Sequence, residues 1–374
     1  MNPYLFSALT RLTGVSTAQR AGLFGDPELL VRIRGGKPAP GLHPSLSKAF
    51  ANLDWRICEK EDKALEAAGV LLLSWDHPRY PEPLRALPDP PPALYIRGSL
   101  EALDLPIVAI VGSRLSTVYG QAVARDMAEE AARSGFAVIS GLARGIDSAA
   151  HRGSLAVPGR AIGVLGTGID VPYPRENAPL MKEIAESGGA VLTELPPGTP
   201  PLPRHFPMRN RVIAGLSWAV LVVEATERSG SLITARFALE TGKEIFAVPH
   251  NITSHTGVGP NTLIQKGAKL VQRIEDILEE LPEHLRCKLK PSDSQFSMDS
   301  IARPALYSGY GEGAQKVLGT LKPDHALGVD ALCAATGLAA QELLPALLEL
   351  QLTGACVELP GMRYALSRPR KEPS

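Results

Sequence analysis

Net charge is the first thing this 374-residue sequence lacks: 39 Lys and Arg balance 39 Asp and Glu. No global basic field marks it for nucleic acid, so any anion site must come from local clustering. Cysteine is sparse too. Cys58, Cys287, Cys333 and Cys356 form no CxxC pair and have no His at zinc spacing, so neither a disulfide framework nor a metal site is expected. No run of about 18 apolar residues could span a bilayer, and the N-terminus lacks the charged-then-apolar build of a secretory signal. A cytoplasmic protein of two or three domains, without a cofactor, is the expectation.

What the sequence does have is glycine at the ends of apolar runs. Residues 105–111 (LPIVAIV) are apolar and β-branched without helical period, and stop at Gly112-Ser113-Arg114 before a helix-forming run over 120–134. That is strand, tight turn, helix, with amides free to face an anion. Residues 137–140 run into Gly141 to Asp147, and 161–165 into Gly166-Thr167-Gly168. Residues 190–193 end at Glu194, 219–223 at Glu224, and 244–248 at Pro249-His250. Six strands alternating with helices predict an α/β, Rossmann-like doubly wound, mostly parallel sheet, with a ligand crevice outside the strands' carboxyl ends.

Residues 1–68 predict a small helical domain, with Tyr4, Leu5, Leu9 and Leu12 at helical spacing. Its Gly14-Val15-Ser16 turn fits a helix-hairpin-helix that holds phosphate, or an ordinary packed cap. The proline-dense stretch 69–98 carries two strand-like pieces for the sheet edge and is counted with the central domain, 69–285. Residues 286–311 read as a linker. Residues 312–368 give three helices and a hairpin, a winged helix. Across 312–366, six acids (Glu312, Asp324, Asp330, Glu342, Glu349, Glu358) outnumber three bases (Lys316, Lys322, Arg363), and the recognition helix has no cation. Duplex phosphates would be repelled, so a protein-contacting or regulatory module is expected.

The chemistry-bearing groups collect at the sheet's carboxyl edge. Arg204, Phe206, Arg209, Asn210 and Arg211 form a basic run with an aromatic inside it, suited to a single strand: guanidinium groups for phosphates, a ring face for a base. Arg209 and Arg211 could instead clamp strand-end carboxylates such as Glu194 and Glu224. Asp147 is expected to cap its helix and His151 to hold the loop by a hydrogen bond within the motif. Glu224 could cap the Ser229-Gly230-Ser231 loop or repel phosphate in a wrong register.

GSR, SGLARGIDSAAH, VLGTGIDVPYP, FPMRNR, VVEATERSGSLITA and FAVP, in this order, resemble the DNA-processing protein A family, DprA or Smf, from about residue 69 to 281. The resemblance implies a non-enzymatic protein that binds single-stranded DNA as a homodimer, protects it, and helps load the RecA recombinase in natural transformation. It implies a DNA pocket on Gly112, Ser113, Arg114, Gly141, Arg144, Gly145, Arg204, Phe206, Arg209, Asn210 and Arg211. Gly166, Thr167, Ser229, Gly230 and Ser231 at the same edge are counted as DNA-binding with them. Pro249-His250 departs from the family's Pro-Gly, which puts that loop's geometry in question. A phosphoribohydrolase of similar fold needs a PGGxGTxxE motif. Here SGSLITARFALE lacks the double glycine and Glu240 falls too far on. A nicotinamide oxidoreductase lacks its glycine fingerprint, since GSRLSTVYG has its second glycine too late.

Overall fold

The computed structural model describes residues 3–287, 289 and 310–366, apart from 13, 38, 40, 322–325, 354 and 360. Most of the expected linker therefore lies outside the described residues. Packing divides the chain into two compact units, residues 1–295 and 296–374.

The first unit opens with α1 (Tyr4–Thr10), α2 (Thr17–Ala21), α3 (Pro27–Arg34), α4 (Pro44–Ala51) and α5 (Trp55–Ala67). Leu5, Phe6, Leu9, Phe24, Leu30 and Phe50 fill their core. At the Gly14 turn, the Ser16 amide donates to Gln19 and the Gln19 amide to the Ser16 hydroxyl, an ordinary reciprocal cap.

A nine-stranded sheet follows. Its members are β1 (Val70–Ser74), β2 (Ala93–Gly98), β3 (Ile107–Val111), β4 (Ala137–Ser140), β5 (Ala161–Val164), β6 (Ala190–Thr193), β7 (Ala219–Val222), β8 (Glu244–Ala247) and β9 (Lys269–Leu270). The spatial order is β1-β2-β6-β5-β4-β3-β7-β8-β9. All pairs from β6 to β9 are parallel, while β2 pairs antiparallel with β1 and β6. The six strands expected from sequence are thus β3 to β8. Of the two lead-in strands only β1 is an edge; β2 is internal.

The helices of this unit are α6 (Glu82–Arg85), α7 (Val118–Ser134), α8 (Ile146–Ser154), α9 (Ala178–Glu186), α10 (His205–Leu216), α11 (Gly230–Glu240), α12 (Val258–Gln265), α13 (Glu275–Leu278) and α14 (Glu283–Arg286). Every residue of β3, β4, β5, β6 and β7 is buried, the continuous apolar pattern of strands covered on both faces. β3 lies between β4 and β7, from which the chain runs outward in opposite directions, so the topological switch point sits at the carboxyl end of β3. Residues 112–114 occupy that end.

The helical segment is tied to the sheet by a buried charge cluster. Arg11, just past α1, bonds Asp62 of α5 at 2.7 Å, and the hydroxyl of Tyr95 on β2 donates to the same carboxylate at 3.0 Å. Ser7 donates to it as well. Trp75, just past β1, packs on Phe6 and Phe24 with ring centroids 6.3 and 5.3 Å away.

The second unit holds α15 (Glu312–Leu318), β10 (Leu327–Gly328), α16 (Val329–Thr336), α17 (Ala340–Leu352), β11 (Cys356–Leu359) and β12 (Arg363–Leu366). Three helices and a hairpin form the expected winged helix. The sequence reading missed β10, a two-residue strand that pairs with β12. Among the described residues no single helix is long and apolar enough to cross a membrane.

Removing one partner of a buried ion pair costs about 3 kcal/mol or more, and Arg11 would keep only half-exposed Glu61, 3.3 Å away, as a countercharge. Asp62→Ala should therefore lower the stability of the first unit by about that amount, measured as a shifted urea midpoint. Tyr95→Phe, losing one hydrogen bond, should cost about 1 kcal/mol. An unchanged midpoint for Asp62→Ala would contradict this role.

Candidate nucleic-acid interface

Two loops meet at the switch point because glycines let them. Gly145 has φ +73°, and a Cβ there would stand 2.4 Å from the Ser113 carbonyl. The Ile146 amide donates to that carbonyl at 3.2 Å. A Cβ on Gly112 would run into Ile146 at 2.5 Å. Ser113 is buried, and its hydroxyl accepts the Leu115 amide at 3.1 Å, so it shapes the turn from within. Arg114 then stands outside, exposed.

Beneath the second loop lies Asp147. Its Oδ2 accepts the amides of Gly141 at 3.1 Å and Ala143 at 3.4 Å. α8 has no side-chain cap at all, so the expectation that Asp147 caps it is corrected: the carboxylate gathers loop amides instead. Burial raises its pKa, with Arg209 pulling it back down. Asn177 supports the same loop by donating to the Leu142 carbonyl at 2.8 Å.

The basic run on α10 splits into two directions. Arg209, Asn210 and Arg211 are buried. Arg209 donates to the carbonyls of Gly141 and Val164, at the carboxyl ends of β4 and β5. A Cβ on Gly141 would collide with its guanidinium at 2.4 Å. Burial lowers the Arg209 pKa to about 10, which leaves it cationic at neutral pH. Asn210 donates to the Gly230 carbonyl at 3.1 Å. Arg211 pairs with Glu194 and lies 3.2 Å from Asp89. Burial raises the Glu194 pKa, and Arg211 acts against that rise. So Arg211 is the clamp on Glu194, whereas Arg209 grips backbone and touches neither carboxylate.

Arg204 and Phe206, at the start of α10, stay nearer solvent. Arg204 is exposed and Phe206 half-buried. The Phe206 ring lies over Gly166, where a Cβ would come within 3.0 Å of it. The Arg114 guanidinium sits 5.1 Å from the Phe206 ring centroid, within cation–π range. Tyr173 adds a second ring, 5.5 Å from Phe206 and tilted by 47°, and is exposed. The result is an outward ledge of one guanidinium and two aromatic rings. Arg144, on the loop after β4, is exposed and paired with exposed Glu176. Thr167 points inward and donates to the Val171 carbonyl at 2.7 Å. Ser229, Gly230 and Ser231 start α11, the Ser229 side chain accepting the Ser231 amide.

Glu224 corrects both sequence alternatives. It is fully buried and turned toward the start of α7, where it accepts the Thr117 amide at 2.9 Å and the Thr117 and Thr256 hydroxyls. A Cβ on Gly120 would strike this carboxylate at 2.3 Å. A negative charge at a helix N-terminus is favourable, and this one neither reaches the residue 229–231 loop nor meets solvent. His250 also resolves its departure: it is not in the left-handed region, and its ring nitrogen lies 2.7 Å from the Val223 carbonyl.

His151 is buried, and neither ring nitrogen makes a well-formed hydrogen bond among the described residues, although the nearby Ser140 backbone partly opposes the fall in its pKa. Burial, with the Arg209 charge second, pushes its pKa down to about 3.

Sequence reasoning missed Tyr173, Asn177 and Thr117. The signal for Tyr173 was an aromatic followed by Pro174-Arg175-Glu176-Asn177 directly after the third glycine turn.

The strand order, the glycine turns at three adjacent strand ends and the cationic, aromatic ledge define a Rossmann-like protein with its polar groups gathered at the carboxyl edge of the sheet. Within that class the chain belongs to the DNA recombination-mediator protein A family, whose profile matches residues 71–282. The DprA winged helix domain profile matches residues 304–362. The chain is 41% identical over 333 residues to protein Smf of Escherichia coli, covering 88% of this chain and 86% of that one. It is 44% identical over 221 residues to the DNA processing protein DprA of Bacillus subtilis, covering 59% and 74%. DprA of Streptococcus pneumoniae superposes with a TM-score of 0.64 at 33% identity, covering 76% of this chain and 99% of that one. DprA of Helicobacter pylori, described for its single-stranded DNA binding mode, gives 0.51 at 31%, covering 56% and 93%.

An imidazole titrates near 6.5 in an unfolded chain, and here the folded state binds that proton far more weakly. Its contribution to stability is therefore full above that pH and lost as pH falls toward 3. Between pH 7 and 5 the wild type should lose about 2 kcal/mol more than His151→Leu, read from paired urea titrations. Parallel pH profiles would show that His151 is solvated or partnered.

Proposed function

We propose that this protein binds single-stranded DNA without sequence preference along the ledge of Arg114, Phe206 and Tyr173, with Arg204 and Arg144 adding charge. The observation that carries the reading is the exposed Arg114 guanidinium held over Phe206. A strand presents phosphates and base faces alternately, and this pair offers a partner for each. Ser113, Gly112, Gly141, Gly145, Gly166, Thr167, Asn210 and the residues 229–231 act by shaping the edge. Arg209 and Arg211 act from beneath it.

The role is non-enzymatic. Asp147, Glu194 and Glu224 are buried and committed to amides, hydroxyls or a guanidinium, and His151 is buried as well. Each is a poor general acid or base toward a ligand on the outside. The hydrolase alternative loses its glutamate as well. Glu240 closes α11, roughly 15 Å along the helix from the strand ends where α11 begins, and pairs with Arg236. Family membership supports the rest of the reading: homodimerisation through the central domain, protection of the strand, and its delivery to a RecA-type recombinase in transformation and recombination in the cytoplasm.

Arg114→Ala should weaken binding to oligothymidylate and to mixed-sequence single strands alike, because a phosphate contact carries no sequence information. The slope of log affinity against log salt should flatten by about 0.7. Phe206→Ala should cost about 1–3 kcal/mol with an unchanged slope. Fluorescence anisotropy over a salt series checks both, and wild-type affinity and slope in Arg114→Ala would refute the ledge. Gly145→Ala, which drives a Cβ into the Ser113 carbonyl, should lose binding with Arg114 still present.

A further inference from the structure

The winged helix turns its apolar residues both inward and outward. On α17, Leu343, Leu347 and Leu350 are buried in the module's core. On the opposite side Leu344, Leu348 and Leu352 are 46%, 55% and 80% exposed. They follow one another at four-residue spacing, with exposed Gln341 and Pro345 beside them, so they form one uncharged stripe along about three turns. Duplex-reading winged helices present this same face to DNA, and there it needs cations or amides. α17 contains no Lys or Arg. Among the described residues of this unit the cations are Lys316, paired with Glu312 on α15, and Arg363, which donates to the Ala326 carbonyl.

The stripe has an acidic border. Glu342 and Glu349 are seven residues apart, so they share one line, about 100–120° round the helix from Leu348. Glu342 accepts the Ala339 amide and Glu349 the Gly311 amide, one oxygen each. Among the described residues each carboxylate keeps its second oxygen for a partner.

We propose that the exposed face of α17 is a docking surface for a basic amphipathic helix of another protein, its apolar side on Leu344, Leu348 and Leu352 and its Lys or Arg against Glu342 and Glu349. The chemistry separates this occupant from others. Duplex DNA and anionic lipid bring negative charge to a carboxylate border. A second copy of α17 brings leucines but no cation. A helix with apolar anchors at four-residue spacing and flanking cations satisfies both the stripe and its border.

The test uses the intact chain and a labelled synthetic amphipathic peptide of leucine and lysine, with a leucine–glutamate peptide of identical pattern as its twin. The lysine peptide should bind at least tenfold more tightly than the glutamate twin. Leu344→Gln/Leu348→Gln/Leu352→Gln, whose changes are all on the surface, should weaken it at least tenfold with the circular dichroism unchanged. Glu342→Gln/Glu349→Gln, which keeps both amide acceptors, should weaken it several-fold and flatten its salt dependence. Equal affinity of wild type and the triple variant overturns the proposal, as does a failure of the intact wild type to bind. Self-association, or duplex binding, that is lost in the triple variant would assign the stripe to a second copy or to DNA and overturn it equally.

Discussion

The Arg209 guanidinium, buried under the carboxyl edge of the sheet, is the constraint on which the site depends. It gathers the carbonyls of Gly141 and Val164, so the ends of β4 and β5 are fastened to one side chain of α10. A buried charge is costly unless its donors are satisfied, and backbone carbonyls satisfy these without a countercharge in direct contact. The consequences spread outward. Gly141 has no room for a side chain, the cation adds to the burial that already lowers the His151 pKa, and α10 is held in one register. Phe206 lies three residues before Arg209, nearly one helical turn, and so is delivered to the surface over Gly166 where Arg114 can meet it.

Much of this was legible in the sequence, for reasons that differ by element. Short continuous apolar runs, three of them closed by glycine, identified the parallel strands because strands buried on both faces must be apolar throughout. The glycines marked the edge because two loops approach there within a distance no side chain permits. The winged helix was legible from the leucine spacing of α17, although β10 was not, being two residues long and paired only through tertiary contact with β12.

The direction of individual polar side chains was less legible. Arg204 to Arg211 reads in one dimension as a single basic patch. On a helix it divides, since residues five apart lie on different faces, and the partners that draw Arg209 inward are carbonyls contributed by segments 45 and 68 residues away. Glu224 was misjudged for the same reason: its partner Thr117 lies 107 residues earlier. Asp62 sits in an exposed-looking charged stretch of α5, yet it is buried because Tyr95 and Arg11 reach it from other elements. Thus the chain carries two surfaces of opposite character. One is a cationic and aromatic ledge on the sheet unit, the other an apolar stripe with a carboxylate border on the winged helix, and a formal net charge of zero conceals both.

The role of the ledge depends on where a single strand lies. Photo-crosslinking of the intact protein to a single-stranded oligonucleotide carrying iodouracil, followed by peptide mapping, locates the bases directly. Crosslinks on the peptides containing Phe206 and Tyr173 are predicted, since stacked rings hold a base in reach. Crosslinks confined to the N-terminal helices or to the winged helix, with none on those two peptides, would contradict it.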